Sequence, residues 1–249
     1  MTAVNGSFEV INKTRNNVEY TAFKTLPDNL GAMYKMAADT YGSADFIVYN
    51  EERHSFADFY QQASAFAFLL KNDYDISPGD KVVIAMRNYP EWIVAFMGIT
   101  LIGAVAVPLN AWWSEEEFVQ VIEHSQATLV IADDKRFNLL EKSLQTLKMT
   151  VMVARPNKTQ SHVADMGKLI TNTLATNNID SIYDIKVCAN DVATIFYTSG
   201  STGVPKGAVS THESILTAIN TWLMLGAAAG VANEGIAIPS EYPAAALMT

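Results

Sequence analysis

Between residues 80 and 155 the chain alternates short apolar runs of strand length with longer stretches of helical spacing. "SPGDKVVIAM" gives a turn and then an apolar run over 82–86, which predicts a buried strand. "PEWIVAFMGITLIGA" sets Trp92, Phe96, Ile99 and Ile102 at helical intervals, and "VAVPL" predicts a second strand stopped at Pro108. In "SEEEFVQVIEHSQA", Ser114 with Glu117 three residues on predicts a capping box ahead of Phe118, Val121 and Ile122. "TLVIAD" and "TVMVA" predict a third and fourth strand, with the helix "RFNLLEKSLQTL" between them. Repeated βα order of this kind predicts an α/β fold: a mostly parallel sheet with helices on both faces.

The flanks are less regular. "DFIVYNEERHSF" predicts a hairpin, followed by a helix with Phe59, Ala63, Phe66 and Leu70 on one stripe. "RPNKTQS", from Arg155, predicts a polar surface loop, and a further helix is expected to end near Ala175. "TNNIDSIYDIKVCAND" reads as a polar linker. Then "VATIFYTSG" is strand-like, "GAVST" resumes strand character, and Ser210 with Glu213 suggests a second capping box. The helix it would open carries Ile215, Ile219, Trp222 and Leu223.

Composition narrows the class. Forty-nine per cent of the 249 residues are hydrophobic and the net charge is -9, a globular profile without the basic face a nucleic-acid binder needs. Cys188 is the only cysteine, so no internal disulfide can form and a cytoplasmic setting, or one peripheral to a membrane, is expected. The histidines at 54, 124, 162 and 212 show no metal-ligand spacing. No charge occurs over 92–114 or 214–233, lengths that raise the question of membrane spans. Pro108, Asn110, Thr217, Asn220 and Thr221 interrupt them, which favours buried helix and strand over integral membrane insertion. The apolar "YPAAALMT" at the end suggests a fragment of a longer protein.

One stretch carries chemistry: "YTSGSTGVPKGAVSTH", residues 197–212. Its glycines can turn successive peptide N–H groups toward one point, forming an anion nest. The hydroxyls of Thr198, Ser199, Ser201 and Thr202 add donors without charge, and Lys206 is the only Lys or Arg from Val187 onward. Lysine supplies a mobile point charge suited to phosphate. Walker A is excluded because Lys206 lies between Pro205 and Gly207, with strand character after it. The glycines at 200, 203 and 207 also miss the dinucleotide-binding spacing. A plain surface turn remains the alternative.

The stretch resembles the signature phosphate-binding loop of the adenylate-forming (AMP-binding) superfamily, which includes acyl-CoA synthetases, luciferases and peptide-synthetase adenylation domains. "GDKVVIAMRNYPEWIVAFMGITLIGAVAVPLN", "SFADFYQQASAFAFLL" and "EEEFVQVIEHSQATLVIAD" are similar to that family's early blocks, and "NAWWSEEEF" to bacterial acyl-CoA synthetases. The resemblance implies the N-terminal part of a large domain: a first βα subdomain over about 1–186, then the phosphate-loop segment and the start of the next subdomain over 187–249. The adenine, ribose and magnesium blocks of the family, and its C-terminal lid with a catalytic lysine, find no counterpart. It also implies an acid–thiol ligase that uses ATP, Mg2+ and CoA to convert a carboxylate, such as a fatty acid, to an acyl-adenylate and then a thioester. By position, Thr198, Ser199, Gly200, Ser201, Thr202, Gly203 and Lys206 would surround the β- and γ-phosphates, with Thr198 near the magnesium. His212 and Glu213 are read as residues that cap and pack the following helix, and Trp112 and Trp113 as packing residues. Two other readings stay open at this point: an inactive fragment that binds nucleotide phosphates weakly, and a membrane-associated protein with an incidental loop.

Overall fold

The computed structural model describes residues 2, 6–15, 17–158, 163–198 and 205–232. An N-terminal hairpin, β1 (Val10–Arg15) and β2 (Val18–Phe23), leads into α1 (Leu30–Tyr41). A second hairpin, β3 (Asp45–Tyr49) and β4 (Glu52–Ser55), precedes α2 (Phe56–Asn72). The βα series then runs β5 (Lys81–Ala85), α3 (Pro90–Leu101), β6 (Val105–Pro108), α4 (Glu115–Ser125), β7 (Leu129–Asp133), α5 (Asp134–Thr146) and β8 (Thr150–Ala154). After it come β9 (Ala164–Asp165), α6 (Met166–Thr176), a 3-10 turn at Asp180–Asp184, β10 (Val192–Thr198), β11 (Lys206–Thr211) and α7 (His212–Ala232).

The seven-stranded sheet has the order β11-β10-β6-β5-β7-β8-β9, parallel throughout except for the antiparallel pair β10–β11. From β5 the chain steps one way to β6 and then crosses back past β5 to β7 and β8. Right-handed crossovers turn that reversal into helices on opposite faces. Val82, Ile84, Ala106, Leu129, Ile131 and Met152 pack with α2, α3 and α6. Their neighbours Val83, Ala85, Val107, Val130, Ala132 and Val153 pack with α4 and α5. Both sides of each strand are therefore dry, which is why these strands read as unbroken apolar runs. The sequence-based fold class is correct.

Gly98 sets the closest approach of α3 to α2. A Cβ there would lie 2.7 Å from Phe66 Cδ1 and 3.0 Å from the Ala63 carbonyl oxygen. Gly98→Ala is expected to cost about 1–3 kcal/mol by overpacking, despite alanine's better helix propensity. Urea denaturation checks it: a midpoint at or above the parent's would show that the two helices yield freely.

The capping box at Ser114 forms as expected. Ser114 Oγ accepts from the Glu117 amide at 3.4 Å, and the Glu117 carboxylate accepts from the Ser114 amide at 2.8 Å. The box expected at Ser210 and Glu213 is displaced by one residue. Ser210 is still in β11, opposite Thr194, while Thr211 and Ser214 exchange the capping bonds. Glu213 instead pairs with Lys13 on β1 at 2.7 Å. Amides of His212 and Glu213 donate to the carbonyls of Asp191 and Ala189, so the helix cannot start earlier. His212 is fully buried and its Nδ1 accepts the Leu30 amide at 3.2 Å, so it caps α1 rather than its own helix. Burial lowers its pKa, which keeps the ring neutral and Nδ1 free to accept.

Two further expectations change. Within the expected linker, Ile182 sits in the core and the Val187 carbonyl accepts from Asn29 Nδ2 at 2.9 Å, so that segment is packed. On α7, Leu216 is the buried apolar residue among those described, whereas Trp222 is 76% exposed and Leu223 is also exposed. The uncharged run 92–114 is α3, β6 and the loop after them. Among the described residues no helix is long and apolar enough to cross a membrane.

Candidate functional site

Parallel strands end together, so the residues that close or follow β5, β6, β7, β8 and β10 share one edge: Arg87, Asn110, Asp133, Arg155 and Thr198. The strand order reverses around β5, and an open α/β sheet offers its ligand crevice at such a carboxyl edge. Thr198 closes β10 there. Its partner across the antiparallel ladder is Lys206, the first residue of β11. Both side chains are exposed, and Lys206 forms no ion pair with a described residue. Thr198 and Lys206 therefore sit opposite one another at the edge. Ser199, Gly200, Ser201, Thr202 and Gly203 lie outside the described residues.

The stem below this pair is tied to α4. Tyr197 packs against the α4–α5 side of the sheet and its hydroxyl is 2.7 Å from His124 Nδ1, with the two rings edge to face. Gly207 lies across from Tyr197 in the ladder. A Cβ on it would come within 2.7 Å of Ile195 Cγ2 and 3.2 Å of the Tyr197 ring, so glycine allows the ring to lie over the edge strand.

Nearer the middle of the edge, a buried ion pair holds the loop after β6. Asp133, at the end of β7, caps α5 and pairs with Arg136 at 3.1 Å, with side chains 3% and 5% exposed. The guanidinium reaches on to the Ala111 carbonyl at 2.6 and 2.9 Å, and Asp133 also accepts from the Arg87 amide. The Arg87 guanidinium lies 4.4 Å above the Trp112 ring. Farther along, Arg155 is in the left-handed region at φ 50°. It pairs with both oxygens of Glu91 and both of Glu52, and it faces the rings of Tyr49 and Tyr89. Arg155 lowers the Glu52 pKa by hydrogen bonding and charge.

Residues 34–237 match the sequence profile described as "AMP-binding enzyme". The chain belongs to this family. Among curated relatives of this chain is 4-coumarate–CoA ligase 3 of Arabidopsis thaliana, 30% identical over 58% of this chain and 25% of the relative. Crotonobetaine/carnitine–CoA ligase of Escherichia coli O1:K1 / APEC is 28% identical over 75% of this chain and 37% of its own length. The chain thus spans a quarter to under two-fifths of the length of these curated relatives. Among solved structures, a Mycobacterium tuberculosis fatty acyl CoA synthetase superposes with a TM-score of 0.62 at 26% identity, over 79% of this chain and 37% of that one. The anthranilate CoA ligase AuaEII, determined with anthranoyl-AMP, gives a TM-score of 0.68 at 20% identity, over 76% and 36%, a likeness of fold.

Of the residues expected at the site, the fold brings Thr198 and Lys206 together. The paired tryptophans divide. Trp113 packs edge-on to Phe118, but Trp112 is 71% exposed beneath Arg87, which corrects its reading as a packing residue. Trp113 reaches the core on the α4–α5 side of the sheet, whereas Trp112 meets only the Arg87 guanidinium among the described aromatic and cation contacts. His124, Arg87, Asp133 and Arg136 went unpredicted. For the last two a signal existed, since an aspartate ending an apolar run, with arginine three residues on, matches an N-cap with an i,i+3 ion pair.

Proposed function

We propose that this AMP-binding enzyme activates a carboxylic acid, a fatty acid being the class put forward, with ATP and passes the acyl group to CoA. The carboxylate oxygen bonds to the α-phosphorus, the bond to the β-phosphate oxygen breaks, and pyrophosphate leaves with that electron pair. The CoA thiolate then displaces AMP from the acyl carbon. The observation that carries the reading is the Thr198–Lys206 pair at the carboxyl edge, flanking the signature loop. Lys206 would follow the β- and γ-phosphates as charge accumulates on them, and the Thr198 hydroxyl would donate to the same oxygens. Ser199, Gly200, Ser201, Thr202 and Gly203 complete the proposed grip. Given the span relative to the curated relatives, no thioester step is assigned to residues of this chain.

Magnesium fits as a companion of ATP. Thr198 offers a neutral oxygen, the hard donor that magnesium prefers, and no group of three His, Cys, Asp or Glu suited to a metal occurs among the described residues. The phosphates, with water, would then supply most of its oxygen ligands. Bound there, the ion offsets phosphate charge. A cytoplasmic location is part of the proposal, supported by the single, exposed Cys188. So is a division of the chain near residue 186, supported by the turn at Asp180–Asp184 that separates the βα series from β10.

The test is exchange of labelled pyrophosphate into ATP by the intact protein. Exchange is expected only when a carboxylic acid is supplied. Exchange that needs no acid would remove the ligase assignment.

A further inference from the structure

We propose that His124 is a positioning residue for the phosphate site, holding Tyr197 and through it the Thr198–Lys206 pair. The inference rests on the phosphate-binding reading above and adds a residue to it. β11 is the outermost strand, with β10 as its sole ladder neighbour among the described residues, and Lys206, Gly207, Ala208 and Val209 are exposed. A strand so little covered needs another restraint if its first residue is to hold a fixed place. Tyr197 provides it, lying over Gly207 and reaching α4 on the same face of the sheet. The hydroxyl-to-Nδ1 distance of 2.7 Å and the 87° angle between rings fix the phenol at both its tip and its face.

α4 is a rigid support. Its Phe118, Val121 and Ile122 are buried against the sheet, and the Ser114 box fixes its start. Burial raises the Tyr197 pKa, which keeps the phenol protonated and able to donate to His124 Nδ1. The path from α4 to the phosphates is therefore short: His124, the Tyr197 ring, Gly207, and the two side chains one ladder step beyond. Small displacements of a positioned donor are costly, and an error of about 1 Å can lower a rate by about a hundredfold.

The experiment is a double-variant cycle read by calorimetric titration of the full chain with Mg–ATP, with thermal unfolding alongside. His124→Ala and Tyr197→Phe are each expected to weaken binding about three- to tenfold, the range of one net hydrogen bond. The double variant should be no weaker than either single, because both remove the same bond. His124→Asn, which keeps a side-chain acceptor near the Nδ1 position, should recover most of the loss. Singles that bind like the parent, or losses that multiply in the double, overturn the proposal. So does a lowered thermal midpoint with unchanged affinity, which would mark the bond as purely structural. Lys206→Ala separates the two readings. If it abolishes binding while the His124 variants bind normally, only the His124 assignment falls. If it binds as tightly as the parent, or the parent binds no Mg–ATP, the phosphate reading falls and this one with it.

Discussion

Lys206→Ala is expected to lower acid-dependent pyrophosphate exchange by about 10²–10³, the usual effect of removing one donor aimed at developing charge. The lysine is exposed and forms no ion pair with a described residue, so no such pair is lost and the thermal midpoint is expected to hold. It is also the only Lys or Arg from Val187 to Thr249, which leaves no neighbouring cation in the sequence to take over. Lys206→Arg should retain part of the rate, because charge survives while the planar fork replaces a compact ammonium. Exchange at the parent rate by Lys206→Ala would show that the ammonium takes no part in gripping pyrophosphate.

Asp133→Ala should produce the largest loss of stability, about 3–5 kcal/mol, by leaving the Arg136 guanidinium buried without its partner. The same substitution removes the α5 cap and the acceptor of the Arg87 amide. Guanidinium denaturation of the single variant and of Asp133→Ala with Arg136→Met distinguishes the causes. The double variant should regain much of the loss, since it no longer buries an unpaired charge. A single variant as stable as the parent would mean the ion pair is well compensated by the Ala111 carbonyl alone.

The sheet was legible because its period is short and its burial two-sided. Each of β5, β6, β7 and β8 is an apolar run between turn signals, and nothing distant is needed to recognise it. The capping box at Ser114 depends on residues within one turn, so it too could be read directly. What failed depends on partners far away in the chain. Glu213 leaves the capping role for Lys13, 200 residues distant, and His212 serves the first amide of α1. Ile182 looks polar by its neighbours yet fills the core beneath α2. At the candidate site, Thr198 and Lys206 were singled out by residue type, whereas the His124–Tyr197 bond joins residues 73 apart and leaves no local trace.

The antiparallel closure of β10 with β11 has a thermodynamic consequence for any ligand. In such a ladder, partners sit about 4.5–5.5 Å apart at the Cα atoms, so the ends of the segment between Thr198 and Lys206 meet before anything binds. The entropy of bringing those two ends together is then met by folding rather than by an arriving anion.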